Sequence, residues 1–151
     1  NKNMKNKQQE KLNMAKKKKY TRKSPLVVRI NRKRHLRGSE NSVMRNKSGS
    51  QCCLGFVGRT LGCSVSELEE TTTPEDVLRG CVNQHDETNE RGDEISKLFQ
   101  RVGLLDNHGD ETDVCSDLMT INDHKGFSSH KREKMLKKLG LTVGIQFKFF
   151  G

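Results

Sequence analysis

The apolar residues are concentrated in the last two thirds of this chain, and this distribution decides where a core can form. Residues 1–47 contain 12 apolar residues, counting Ala, Val, Ile, Leu, Met, Phe, Tyr and Cys, whereas residues 48–151 contain 34. A chain of 151 residues is long enough for one domain and too short for two of ordinary size. We therefore predict a single small α+β domain, mostly helical, over residues 25–151, preceded by a flexible basic arm over residues 1–24.

Charge divides the chain at nearly the same place. Residues 1–47 carry 17 Lys and Arg against 2 Glu, and residues 48–151 carry 12 basic against 17 acidic side chains. Lys and Arg displace the counterions condensed on a phosphate backbone, so a basic arm on an acidic body is typical of proteins that contact a polyanion. A solvated leader that binds nothing specific has the same composition, and the charge pattern alone leaves both interpretations open.

The start of the chain bears on where the protein acts. Met14 and Ala15 precede four lysines, a pattern typical of a bacterial protein start, and initiation at Met14 would make residues 1–13 an upstream-translated leader. No run approaches the roughly 18 apolar residues that cross a bilayer, and the start lacks the apolar stretch of a secretory signal. We expect a cytoplasmic protein with no membrane partner and with reduced cysteines.

Apolar periodicity predicts a strand at each end of the domain. Leu26 to Ile30 is a short β-prone run, and from Val143 to Phe149 apolar residues occupy every second position. We expect these two strands to pair, with helices packed on one side of the sheet. Four or five short helices are expected. Apolar residues at helical spacing indicate helices over residues 51–61, 95–102 and 112–121. Capping residues indicate a short helical turn from a capping box at Ser64, a helix over residues 74–80 and a basic helix from Ser128 or Ser129 to residue 139.

Glycine, Asn and Asp predict several helix features. Gly62 is expected to terminate the first helix and Gly140 the last. Asn122–Asp123 is expected to stop the helix before it by side-chain capping. Gly55 and Gly58 lie inside the first helix, where each costs about 1 kcal/mol relative to Ala, so we predict that a neighbouring backbone approaches there.

Cysteine and histidine offer a metal site only at unusual spacing. Cys81 and His85 form a CxxxH pair. A zinc site would need further ligands from Cys63 and from Cys52 or Cys53. Closed zinc sites generally use CxxC or CxxxxC pairs, and adjacent helical residues point about 100 degrees apart. Buried packing thiols are therefore the preferred interpretation.

Catalytic and calcium-binding motifs are not indicated. None of the five histidines lies in a recognisable catalytic context, and no nucleophile elbow, P-loop or dinucleotide-binding glycine motif occurs. A calcium loop set on Gly126 would place Lys125 and Arg132 where oxygen ligands are needed. We predict a protein without catalytic activity, metal or cofactor. A metal- or cysteine-dependent enzyme is a third hypothesis, less favoured than nucleic-acid binding or protein interaction.

Two basic clusters flank the first predicted strand and define the predicted binding site. Only Tyr20 supplies an aromatic side chain in the arm, which favours contact with the phosphate backbone over base stacking. The first hypothesis is non-specific nucleic-acid binding. The alternative is a protein-interaction module, such as a host-directed factor or a virion component. The predicted nucleic-acid contacts are Lys16, Lys17, Lys18, Lys19, Arg22, Lys23, Arg32, Arg34 and Arg37.

Several blocks of the sequence resemble a family of small uncharacterised phage and prophage proteins. They lie scattered over residues 29–149 and are Ile30-Asn31-Arg32, Leu36-Arg37-Gly38, Gln51-Cys52-Cys53-Leu54-Gly55-Phe56, Leu118-Met119-Thr120-Ile121-Asn122-Asp123, Lys131-Arg132-Glu133 and Gly140-Leu141-Thr142-Val143. The chain departs from the family at His35, where an aromatic residue, usually Trp, is expected, and in its long basic extension before residue 25. The resemblance implies a phage accessory protein in the host cytoplasm. It does not indicate what activity such a protein has.

Overall fold

Six α-helices and two strands make up the part of the chain that the structure describes, and the α+β class is as predicted. The structure, a computed structural model, describes residues 24–39, 42–82 and 90–151. The elements in chain order are β1 (Leu26–Asn31), a 3₁₀ turn (Arg32–Arg34), α1 (Cys53–Leu61), α2 (Val65–Leu68), α3 (Pro74–Val82), α4 (Glu90–Arg101), α5 (Asp113–Asp123), α6 (Ser129–Leu141) and β2 (Ile145–Phe150).

The two strands pair with each other, as predicted, and they run parallel. Leu26 lies opposite Ile145, and the register continues to Asn31 opposite Phe150. Parallel neighbours cannot be joined by a hairpin and need a long crossover. Here the chain between the strands, with all six helices, forms that crossover, so the two ends of the domain lie side by side.

Only one face of the sheet packs against the core. Val28, Ile30, Ile145 and Phe147 point inward and are buried, and α1 packs against β1 while α6 packs against β2. Alternation along a strand sends the intervening side chains to the opposite face. The exposed residues on that outer face are Val27, Arg29, Lys148 and Phe150.

Helix α1 runs through the centre of the core and approaches its neighbours closely. A Cβ atom added at Gly55 would lie 1.7 Å from the carbonyl oxygen of Met44, so the predicted backbone approach is confirmed at this position. At Gly58 the close neighbour is instead the side chain of Leu68, at 2.9 Å. Gly62 ends the helix in the left-handed conformation with φ 108°, as predicted.

The end of α6 differs from the prediction. Gly140 does not terminate this helix, which continues to Leu141 and has Thr142 as its C-cap. A Cβ atom at Gly140 would lie 2.8 Å from the ring of Phe147, so glycine is needed there to let β2 pack against the helix. The left-handed residue that turns the chain into β2 is Gly144, with φ 76°.

The helices between α1 and α5 are somewhat longer than predicted. The four-residue α2 begins with the capping box between Ser64 and Glu67, as predicted, and brings the number of α-helices to six. Helix α3 continues past Gly80 to Val82, and α4 begins at Glu90, before the predicted start at residue 95. Among the described residues, no helix is long and apolar enough to cross a membrane.

Candidate functional site

The fold brings two basic segments of the domain together. Residues 24–39 carry five basic and no acidic residues, and residues 124–151 carry seven basic residues against one acidic. Residues 90–123 carry three basic against nine acidic residues. Pairing of β1 with β2 places the two basic segments next to each other. The acidic character of residues 48–151 is therefore confined to the part before α6.

Helix α6 presents an exposed face of four lysines. Lys131, Lys134 and Lys138 follow one another at helical spacing, Lys137 lies beside them, and all four are exposed. The helix starts at Ser128, whose side chain accepts a hydrogen bond from the amide of Lys131. The buried residues Arg132, Glu133, Leu136 and Gly140 lie on the opposite side.

Glu133, the single acidic residue of the C-terminal segment, is turned away from this lysine face. Its carboxylate accepts two hydrogen bonds from Arg32, at 2.8 Å from Nη2 and 2.9 Å from Nε, and its side chain is only 12% exposed. This pairing with the Arg32 guanidinium lowers the pKa of Glu133. The ion pair joins the chain after β1 to α6 and neutralises the one acidic side chain of α6.

The predicted phosphate contacts within the described residues already have partners in the protein. Arg32 binds Glu133, and Arg37 donates from Nη1 to the carbonyl oxygens of Arg32 and His35, at 2.9 and 3.2 Å. Arg34 is exposed and donates to the carbonyl oxygen of Ser48 at 3.2 Å. Arg32 and Arg37 thus have structural roles that the sequence did not indicate, and a role of the three in phosphate binding stays a prediction.

The other predicted contacts lie outside the described residues, but their point of attachment is known. The amide of Leu26 donates to the carbonyl oxygen of Gly144 at 2.7 Å. The chain that precedes β1 therefore joins the domain beside the turn between α6 and β2. Lys16, Lys17, Lys18, Lys19, Arg22 and Lys23 belong to that preceding chain.

A groove between α6 and β2 connects the lysine face with the outer face of the sheet. The groove has a volume of about 450 Å³, and Lys137, Leu141, Gln146 and Lys148 contribute to its walls. The ammonium of Lys137 lies 5.9 Å from the ring centroid of Phe149. On the outer face, Lys148 is directly opposite Arg29 in the strand register.

We call the six exposed cations of this region the basic face. None of the six was among the predicted contacts, because averaging charge over residues 48–151 hid the basic C-terminal segment. Helical spacing after Ser128 and the alternation of β2 were the signals that would have identified most of them. The basic face consists of Arg29, Lys131, Lys134, Lys137, Lys138 and Lys148.

A buried polar network lies beneath the basic face. The side-chain oxygen of Asn122 lies 2.8 Å from Nε2 of His35 and also accepts a hydrogen bond from the backbone amide of Cys53 at 3.1 Å. The side-chain nitrogen of Asn122 donates a hydrogen bond to the carbonyl oxygen of Leu36 at 3.0 Å. Helix α5 does end at Asp123, but Asn122 does not cap it as predicted. Its amide instead joins α5 to α1 and to the segment after β1.

The cysteines are buried in the core and are poor nucleophiles. All five are free thiols. Burial raises the pKa of Cys52 to about 11 and that of Cys115 to about 12, so the reactive thiolate is disfavoured at neutral pH. Among the described residues no group of three or more His, Cys, Asp and Glu side chains is arranged to hold a metal ion. His85, the histidine of the CxxxH pair, lies outside them.

Comparison of the chain with protein-family models, curated proteins and solved structures gives no significant match. The resemblance to small phage proteins and the phage origin it implies therefore stay predictions.

Proposed function

We propose that this protein binds nucleic acid non-specifically through the phosphate backbone, using the basic face together with the lysines of the preceding arm. The observation that carries the proposal is the pairing of β1 with β2, which joins two basic segments that are far apart in sequence. The carboxylate of Glu133, the acidic side chain within residues 124–151, is paired with Arg32. A surface of clustered Lys and Arg on one side of a domain is the electrostatic signature of phosphate binding.

The dimensions of the lysine face suit a phosphate backbone. Lys131 and Lys138 are seven residues apart, which corresponds to about 10 Å along a helix at 1.5 Å per residue. Successive phosphates of one DNA strand advance about 3.4 Å along the helix axis. Side chains from α6 can therefore meet several consecutive phosphates. Such contacts carry no base information, which makes the proposed binding independent of sequence.

The acidic residues of the domain are concentrated in one part of the chain. The nine acidic residues of residues 90–123 lie on α4, α5 and their connection. A polyanion is repelled by these carboxylates and attracted by the basic face, which orients the nucleic acid as it approaches.

The proposal is tested by measuring the affinity for DNA over a salt series with matched charge variants of the full chain. Lys134→Gln/Lys138→Gln removes two cations from the basic face. Lys97→Gln/Arg101→Gln is the control, since these exposed residues have the same spacing of four on α4 and the variant has the same net charge. For duplex DNA, the slope of log affinity against log salt is about 0.9 per phosphate neutralised.

The α6 variant is expected to bind more weakly and to lose about 2 from the magnitude of that slope, whereas the α4 variant should behave as the unmodified protein. A third variant with Gln at Lys16, Lys17, Lys18 and Lys19 measures how much the arm contributes to the affinity for DNA. No binding at low salt would refute the proposal and favour the protein-interaction module. An equal loss in the α6 and α4 variants would show that net charge, and not the basic face, attracts the nucleic acid.

A further inference from the structure

We infer that the outer face of the two-stranded sheet binds bases of single-stranded nucleic acid by stacking at Phe150. The inference rests on the proposed function and adds the class of nucleic acid that the site selects. Phe150 is the large aromatic side chain that the described surface presents beside the cations of the basic face, and it is 41% exposed.

The ring of Phe150 is held by a cation on its own face of the sheet. The guanidinium carbon of Arg29 lies 5.2 Å from the ring centroid of Phe150. Because Asn31 pairs with Phe150 and Arg29 with Lys148, the ring and both cations project from the same side of the sheet. Arg29 thus holds the phenyl ring where a planar group can stack against it.

This arrangement suits one nucleotide of an unpaired strand. A base can stack on the phenyl ring or on the guanidinium plane, and its phosphate can meet Lys148 two residues away on the same strand. In a duplex the bases are paired and stacked on one another, so their faces are not available. The groove lined by Lys137 and Lys148 then leads the strand toward the lysines of α6.

Charge argues for a polyanion and against a second copy of the chain on this face. Among the side chains that β1 and β2 direct to the outer face are the cations Arg29 and Lys148 and no Asp or Glu, while Val27 and Phe150 supply its exposed apolar surface. Docking two such faces would bring four cations together around a small apolar area. A nucleic-acid strand neutralises the same cations and covers the ring.

The test compares three ligands of equal length, about 15 nucleotides, which is near the site size of single-strand binding proteins. They are oligo-dT, a base-free deoxyribose-phosphate strand and a DNA duplex. The full chain is compared with Phe150→Ala, with Phe150→Trp and with the control Val27→Ala, which removes apolar surface from the same face but no ring. Circular dichroism confirms the fold of each variant.

We expect the unmodified protein to bind oligo-dT about tenfold more tightly than the base-free strand. Phe150→Ala should abolish this difference while changing affinity for the base-free strand and the duplex less than about twofold. Val27→Ala should keep the difference. The chain contains no Trp, so Phe150→Trp provides a single indole whose emission should be quenched by oligo-dT and not by the base-free strand.

Equal affinity of the unmodified protein for oligo-dT and the base-free strand would overturn the inference and leave phosphate binding intact. An equal loss of affinity for all three ligands in Phe150→Ala would also overturn the inference and leave phosphate binding intact. Failure of every ligand to bind at low salt would refute the proposed function together with the inference. If Phe150→Ala dissociates a dimer and leaves the affinity for oligo-dT unchanged, the occupant of this face is a second copy.

Discussion

Lowering the pH from 7 to 4 is expected to destabilise the protein through the imidazole of His35. This side chain is 7% exposed and lies near the rings of Phe56 and Phe149, at centroid distances of 6.3 and 5.9 Å. The Nε2 atom of His35 is 2.8 Å from Oδ1 of Asn122, and this oxygen also accepts a hydrogen bond from the backbone amide of Cys53. Nε2 therefore carries the proton of the neutral ring, and acid would have to protonate Nδ1.

Protonation of Nδ1 is unfavourable because this atom is buried and has no hydrogen-bond partner among the described residues. Burial is the main cause that lowers the pKa of His35 from 6.5 to about 4. The hydrogen bond to Asn122 opposes that effect, as does the charge of Glu133. The charges of Arg37 and Arg132 add to it.

The sign and size of the effect follow from the two pKa values. The unfolded imidazole titrates near 6.5 and the folded one near 4, so the unfolded state binds more protons between these values. The stabilisation is complete above pH 6.5, is lost progressively as the pH falls to about 4, and does not change further below. At about 1.4 kcal/mol per pKa unit, the loss is roughly 3 kcal/mol, against a total stability of about 5–15 kcal/mol for a typical domain.

Urea denaturation of the unmodified protein and of His35→Phe, between about pH 7.5 and 3.5, measures this loss. Phenylalanine keeps an aromatic ring and cannot titrate. At pH 7 the variant should be about 1 kcal/mol less stable because it lacks the hydrogen bond to Asn122. Near pH 4 it should be the more stable protein by roughly 2 kcal/mol. Carboxylates titrate in both proteins and cancel in the difference, so a difference that stays constant with pH would refute the reasoning.

Four further substitutions test the packing and the buried contacts. Gly55→Ala places a methyl group 1.7 Å from a carbonyl oxygen of the neighbouring loop and should lower the thermal midpoint steeply or prevent folding, whereas Gly80→Ala, with open space around it, should be neutral or stabilising by up to about 1 kcal/mol. Asn122→Ala removes the partner of three polar groups in two other segments and should cost about 2–5 kcal/mol of unfolding free energy in urea; a loss below about 0.5 kcal/mol would contradict the network. Glu67→Gln keeps the capping geometry but weakens the pairing with Arg91, which lowers the pKa of Glu67 to about 2. Its destabilisation should be present above pH 4.5 and vanish as the pH falls toward 2, and persistence at pH 2 would argue against the ion pair.

Features that depend on neighbours in sequence were predictable. The left-handed turn at Gly62, the side-chain cap at Ser128 and the alternation through β2 each require only a few consecutive residues. Such signals are local because capping and periodicity involve atoms within one or two turns of the chain. They were sufficient to identify the element types and the pairing of the terminal strands.

Features that depend on distant residues were missed or misassigned. Asn122 looked like a helix stop because its partners, at Cys53 and His35, are 69 and 87 residues away. Gly140 looked like a helix end, although its small size serves the packing of Phe147 in the following strand. No local pattern distinguishes these roles, since an Asn or Gly at a helix end has the same neighbours in either case.

The sequence by itself determined that the arm is basic, that most of the core lies after residue 47 and that a strand stands at each end of the domain. Only the tertiary structure decided that the outer face of the sheet and the lysine face of α6 form one basic surface, with Glu133 turned away and paired. The reason is physical. The net charge of a chain is the same whatever the order of its residues, whereas the electrostatic potential at a surface depends on the distances between charges. In this domain those distances are set by the parallel pairing of two strands from opposite ends of the sequence.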